Sequence, residues 1–115
     1  MSTNPADLVR LSSNLLGDAQ ARLRELAMAS TNIDTINKML MLRDTIDARQ
    51  RRIMRANLAV IDKDPAVLQN VAQLTQLTAE LATAVQEMKS ATRAIRAATK
   101  VISTAERLLP LAAIL

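Results

Sequence analysis

"EMKSATRAIRAATK", residues 87 to 100, decides how the second half of this chain folds. It carries Lys89, Arg93, Arg96 and Lys100 among alanine, threonine and isoleucine, and it contains neither Gly nor Pro. Nothing in it reads as a stop signal for a helix. Upstream, "DKDPAV" at 62 to 67 is the clearest break in the chain. There Asp64 is placed to cap and Pro65 to open a helix, because the residue before a proline avoids helical backbone angles. The next proline is Pro110. The pattern therefore predicts one helix over 65–109, about 45 residues and roughly 65 Å long at the standard rise.

Along that helix Val67, Leu74, Leu81, Met88, Ile95, Ile102 and Leu109 recur every seven residues. A stripe of strictly helical period drifts by about 20° per heptad, so a seven-residue row kept this long predicts a coiled coil. The companion row is mixed: Val71, Val85, three threonines at 78, 92 and 99, and Glu106. An amphipathic helix of a compact bundle also repeats at three and four, and is the competing reading. Ser90, Ala94 and Ala98, with Ala91 and Ala97 beside them, form a second face of small residues that lets another helix come close.

The rest of the chain divides into two shorter helices. Asn4 and Pro5 mark a start, with Asp7 near the positive end of the helix dipole. Leu8, Leu11, Leu15, Ala19, Leu23 and Leu26 share one face of a helix over 5–29, interrupted by Gly17. In "ASTNIDTIN", Thr31 or Asn32 caps a second helix over 32–61, with Asp34 in its first turn. Its apolar side is Ile33, Ile36, Met39, Leu40, Ile46, Ile53, Met54, Val60 and Ile61. Arg43, Gln50 and Asn57 fall near its centre line. A buried Gln or Asn there needs a partner, and with one it fixes register. Otherwise the helix is rotated and both point to water.

Composition sets the class. Hydrophobic residues make up 50% of the 115, yet there is no Phe, Trp or Tyr and only one Gly. Leu, Ala, Ile, Val and Met without aromatics suit helices over strands. The expected fold is a single all-α domain, 1–115: three helices in a bundle or hairpin with a long C-terminal coiled-coil helix and a short apolar tail at 110–115.

The same inventory narrows the chemistry. No His and no Cys means no imidazole base near neutral pH, no thiolate nucleophile and no soft metal ligand. Asp44 with Asp47, and Asp62 with Asp64, lack the ligand spacing and mid-loop Gly of a calcium loop. The expectation is a protein with no catalytic residues, no cofactor, no metal and no small-molecule substrate. The start "MSTNPADLVRL" has no basic segment followed by an apolar run, and no apolar run reaches the roughly 18 residues of a spanning helix. A cytoplasmic bacterial or phage product is expected, or one exported without a cleaved signal.

The net charge is +4, concentrated in two places. Lys89, Arg93, Arg96, Lys100 and Arg107 lie on one helical face beside the seven-residue row. Arg49, Arg51, Arg52 and Arg55 in "RQRRIMR" spread around more than one face of the second helix. Such a surface suits first a solvated face or inter-subunit salt bridges, and after these nucleic-acid phosphates, an anionic membrane or an acidic partner. Modest net charge and the lack of aromatics for base stacking count against nucleic acid. The lack of Trp and Tyr anchors counts against a membrane.

The turn "DKDPAVLQ", from Asp62 onward, resembles the Pro-containing turn of the small helical subunits that build type III secretion needles and rods. The chain departs from them by an extra N-terminal helix and greater length. The resemblance implies a helical assembly subunit. The same expectation follows from length: the two shorter helices leave roughly 20 Å of the long one uncovered. Ile95, Ile102, Leu108, Leu109 and the tail "LLPLAAIL" would need a cover, and another copy of the chain supplies it most simply. Another helical protein is the alternative partner.

Overall fold

Polar residues followed by proline begin the first and third helices, and an Asn begins the second. A computed structural model describes the backbone of residues 5–59 and 65–114, and side chains at 7–55, 73 and 75–109. Four α-helices make up the described chain: α1 Pro5–Ala29, α2 Ile33–Ala59, α3 Pro65–Gln86 and α4 Ala91–Ile114. The caps expected at Asn4 and Asp64, and the side chains of Asn57, Val60, Ile61, Asp62, Val67, Val71, Leu74 and the tail 110–115, lie outside the described residues.

The all-helical class holds, but the long third helix does not. It ends at Gln86 and resumes at Ala91, giving four helices where three were expected. The turn tightens step by step. Glu87 N donates to Thr83 O at 3.1 Å, Met88 N to Val85 O at 3.2 Å and Lys89 N to Glu87 O at 2.9 Å. Ser90 then restarts the helix: its Oγ accepts from Arg93 N at 3.3 Å and its carbonyl from Ala94 N at 2.7 Å. That is an N-cap, worth about 1 kcal/mol. At the far end α4 runs through Pro110 to Ile114, beyond the stop expected at 109. Pro110 has no N–H to give to the carbonyl of residue 106, so the helix passes through it with one backbone bond missing.

The physical reason for folding back is burial. An unbroken rod would leave its apolar row in water. The hairpin instead covers Leu77, Leu81, Ala84 and Val85 of α3, Met88 of the turn, and Ala94, Ala97, Ala98, Val101, Ala105 and Leu108 of α4 within one chain. These join α1 and α2 in a shared core. Val9, Leu16 and Leu23 in α1, Met39, Ile46 and Ile53 in α2, and Ala94, Val101 and Leu108 in α4 are each spaced by seven and each buried. Seven-spaced rows are what near-antiparallel bundle packing requires. Around the bundle α1 adjoins α2 and α3, and α4 adjoins the same two. Among the described residues α2 and α3 do not touch.

The rotation of the helices differs from expectation at several points. Leu11 is 48% exposed and Ile33 71% exposed, and Met54 is also on the surface. In α1 the expected Leu8, Ala19 and Leu23 are buried and Leu15 and Leu26 pack beside them, while Val9 and Leu16 join the core in place of Leu11. In α4 the small face, not the isoleucine row, points inward: Ala94, Ala97, Ala98 and Ala105 are buried, while Ile95, Ile102 and Leu109 pack along its flank. Alanines let backbones approach closely, so α4 sits against all three other helices.

Two polar links cross the core. Gln50 Nε2 donates to Ser13 O at 2.8 Å, and Gln50 Oε1 accepts from Gln20 Nε2 at 2.7 Å. The Gln placed near the centre line of α2 thus has its partners on α1. Between α1 and α3, Ser12 Oγ and Thr78 Oγ1 lie 3.0 Å apart, and Ser12 also donates to Leu8 O at 2.9 Å.

Candidate functional site

The hairpin turn gathers the basic residues of the opening stretch around one concavity. Between α3 and α4 runs a groove of about 450 Å³ lined by Thr83, Gln86, Glu87, Lys89, Arg93, Arg96, Ala97 and Lys100. A second stretch of about 570 Å³ continues it along Glu80, Ala84, Ser103, Thr104 and Arg107, and the two share Thr83, Glu87 and Lys100. α4 supplies Arg93, Arg96, Lys100 and Arg107, aligned along its outer edge, and the turn adds Lys89. Of the carboxylates, Glu80 comes from α3 and Glu87 from the turn.

The two ends of the groove differ electrostatically. In the lower stretch the charges cancel: Arg107 Nη1 lies 3.2 Å from Glu80 Oε2, and Lys100 Nζ lies 3.4 Å from Glu87 Oε2. Near the turn they do not. Among the described residues, Lys89, Arg93 and Arg96 make no ion pair, although all three line the groove. Their position compounds the excess. The start of a helix is its positive end and favours acids, by about 0.3–1 kcal/mol each. α1 and α2 follow that rule with Asp7 and Asp34, whereas α4 has no acid in its first turn and carries Arg93 there.

The second basic cluster is a separate surface. Arg49 Nη2 binds Glu106 Oε1 of α4 at 3.0 Å, and Arg51 Nη2 binds Asp47 Oδ2 at 3.0 Å. Residues 93 to 106 span roughly 20 Å of helix, so this cluster stands well away from the turn. Arg52 and Arg55 point to solvent on α2. Arg49 is mostly buried, and its Nε has no hydrogen-bond partner.

The expected seam is distributed differently from a single exposed stripe. Leu81 and Met88 are buried in the core, and Ile95, Ile102 and Leu109 are partly covered beside it. Val67 and Leu74 have side chains outside the described residues. Asp44 and Asp47 face arginines, with Arg43 Nη2 at 3.3 Å from Asp44 Oδ1. Among the described residues no group of three acidic side chains is placed to hold a metal ion, and no helix is long and apolar enough to cross a membrane.

Sequence reasoning set these cations on one face of an unbroken coiled-coil helix and so missed the groove, which exists only where α3 returns beside α4. The available signal was Ser90, whose hydroxyl could cap a helix starting at Ala91. No protein family matches the chain. No curated protein and no solved structure matches it.

Proposed function

We propose that this protein is a non-enzymatic helical interaction module, and that it takes an acidic protein segment along the groove between α3 and α4. The observation that carries this reading is the trio Lys89, Arg93 and Arg96, which line a concave site and make no ion pair among the described residues, with Arg93 in the first turn of α4, where the helix dipole disfavours it. Cations kept at the wrong end of a helix lower stability in the free protein and are neutralised when an anionic partner arrives. An acidic helix fits the groove best. Carboxylates spaced at three and four on such a helix meet guanidinium groups at the same spacing, with two-pronged hydrogen bonds open to each arginine.

Nucleic acid fits less well. The protein has no aromatic side chain for stacking bases, and its net charge of +4 is modest. An anionic membrane would depend on the tail 110–115, whose side chains are outside the described residues. A role as a self-associating assembly subunit needs apolar surface for a second copy, and the core rows of α3 and α4 are largely occupied within the chain.

The test is a binding titration with a fluorescent, Glu-rich helical peptide at low and at physiological salt, run beside a DNA duplex. The expected result is salt-sensitive peptide binding that is lost in the triple variant Lys89→Glu, Arg93→Glu, Arg96→Glu and kept in Arg52→Glu, Arg55→Glu. Absence of peptide binding at low salt would overturn the proposal. Tighter binding of duplex, falling steeply with salt, would replace it with the phosphate reading.

A further inference from the structure

The turn between α3 and α4 differs in kind from the other two connections. Ser30–Asn32 carries its own stop and start: Ser30 Oγ accepts from Asn32 N at 3.2 Å, and Asn32 Oδ1 caps Thr35 N at 3.1 Å. The link into α3 contains Asp64–Pro65, which a continuous helix does not tolerate well. Glu87–Ser90 has no such device beyond the Ser90 cap. Glu, Met and Lys are strong helix formers, and no described residue has a positive φ. Each half of this hairpin carries a seven-spaced row, as bundle packing requires, and Leu81, Met88, Ile95 and Ile102 also keep one phase across the turn, so a straightened helix would hold them on one side.

We infer that α3 and α4 can straighten at Glu87–Ser90 and exchange α4 between two copies of the chain, giving a domain-swapped dimer. In the open form the amides of residues 88 to 93 bond the carbonyls of 84 to 89, replacing the tightened turn with regular helix. α4 of each copy packs its alanine face into the α1, α2 and α3 core of the other. All contacts between helices are then re-formed, so the hinge and the protein concentration set the balance. The row Leu81, Met88 and Ile95 becomes a continuous apolar side across the open hinge, where the two straightened helices meet. This inference stands apart from the acidic-partner reading, since it uses the turn and not the groove charges.

Substitutions at the hinge move the equilibrium in opposite directions. Ala91→Pro suits the closed form, where 91 is the first helical residue after the cap and its N–H has no intrahelical partner. In the open form the same proline sits mid-helix and breaks it. Ser90→Ala removes a cap from each closed monomer and two per dimer formed, which raises the dimer association constant by roughly thirtyfold.

The experiment refolds the protein from denaturant at high concentration and measures mass by light scattering. It is combined with cross-linking between Glu80→Cys on one tagged chain and Arg107→Cys on another, using a short bis-maleimide. The chain has no cysteine of its own, so the link is unambiguous. The expected result is a dimer enriched in Ser90→Ala, absent in Ala91→Pro, and joined between chains by the 80–107 link. A monomer at every concentration overturns the inference. So does a dimer in which the bis-maleimide does not join position 80 of one chain to position 107 of the other. Circular dichroism checks that Ala91→Pro is folded; if it is not, the Ser90→Ala shift and the cross-link pattern decide alone.

Discussion

Gln50 Nε2 lies 3.1 Å from the point that a Cβ on Gly17 would occupy. The single glycine of the chain therefore sits where α2 sends an amide across to α1, and the helix tolerates it because Gln50 uses the room to reach Ser13 O. Gly17→Ala brings two opposing effects. Alanine favours the helix by about 1 kcal/mol, while the methyl crowds a side chain held by two short hydrogen bonds. The expected outcome is little or no gain in wild type and the full gain of about 1 kcal/mol in a Gln50→Ala background. Thermal or urea unfolding of the four proteins in the cycle measures the coupling.

Ser12 and Thr78 make a buried polar contact between α1 and α3. Removing one partner leaves the other buried with fewer bonds, so Ser12→Ala alone should lower stability by about 1 kcal/mol. Replacing both, as Ser12→Ala with Thr78→Val, should recover much of that loss, since an apolar pair has nothing left unsatisfied. Urea midpoints of the single and double variants check this.

Arg49 has a largely buried stem, an unpartnered Nε and an exposed carboxylate partner in Glu106. Half-exposed ion pairs contribute about 0–1 kcal/mol, so the pair adds little. Arg49→Met keeps the stem's packing and removes the unsatisfied nitrogen. Its melting temperature should equal or exceed that of wild type, while Glu106→Ala should lower it slightly by leaving the guanidinium without its partner.

Ser90→Ala should destabilise the dilute monomer by about 1 kcal/mol, the usual cost of a lost N-cap. Replacing the unpaired Arg93 by Glu should do the reverse by a few tenths to about 1 kcal/mol, because it puts an acid in the first turn of α4. Denaturation at low and high salt separates the two, since only the Arg93 effect is screened.

The all-helical class was legible from composition, and three of the four helix starts from Pro5, Asn32 and Pro65. The polar residue at position 50 was legible as a register point. The break at 87–90 was not, because Ser90 is a weak signal without a neighbouring Pro or Gly, and the seven-residue row through Met88 reads alike in a rod and in a bundle. The inward rotation of α4 escaped for a related reason. Ile95 and Ile102 are the larger apolar residues, yet the tight space beside three helices admits Ala94, Ala97 and Ala98. The cations of the groove were visible as a face, but their concavity exists only once α3 returns alongside.

The account depends most on α3 and α4 lying side by side in one chain. Spin labels at Glu80→Cys and Arg107→Cys, measured by pulsed electron resonance at low protein concentration, test this directly. Neighbouring helices pack 8–10 Å apart, so the labels should be within about 20 Å of each other. A distance near 40 Å, the roughly 1.5 Å per residue of an unbroken helix, would contradict the hairpin and the groove built on it.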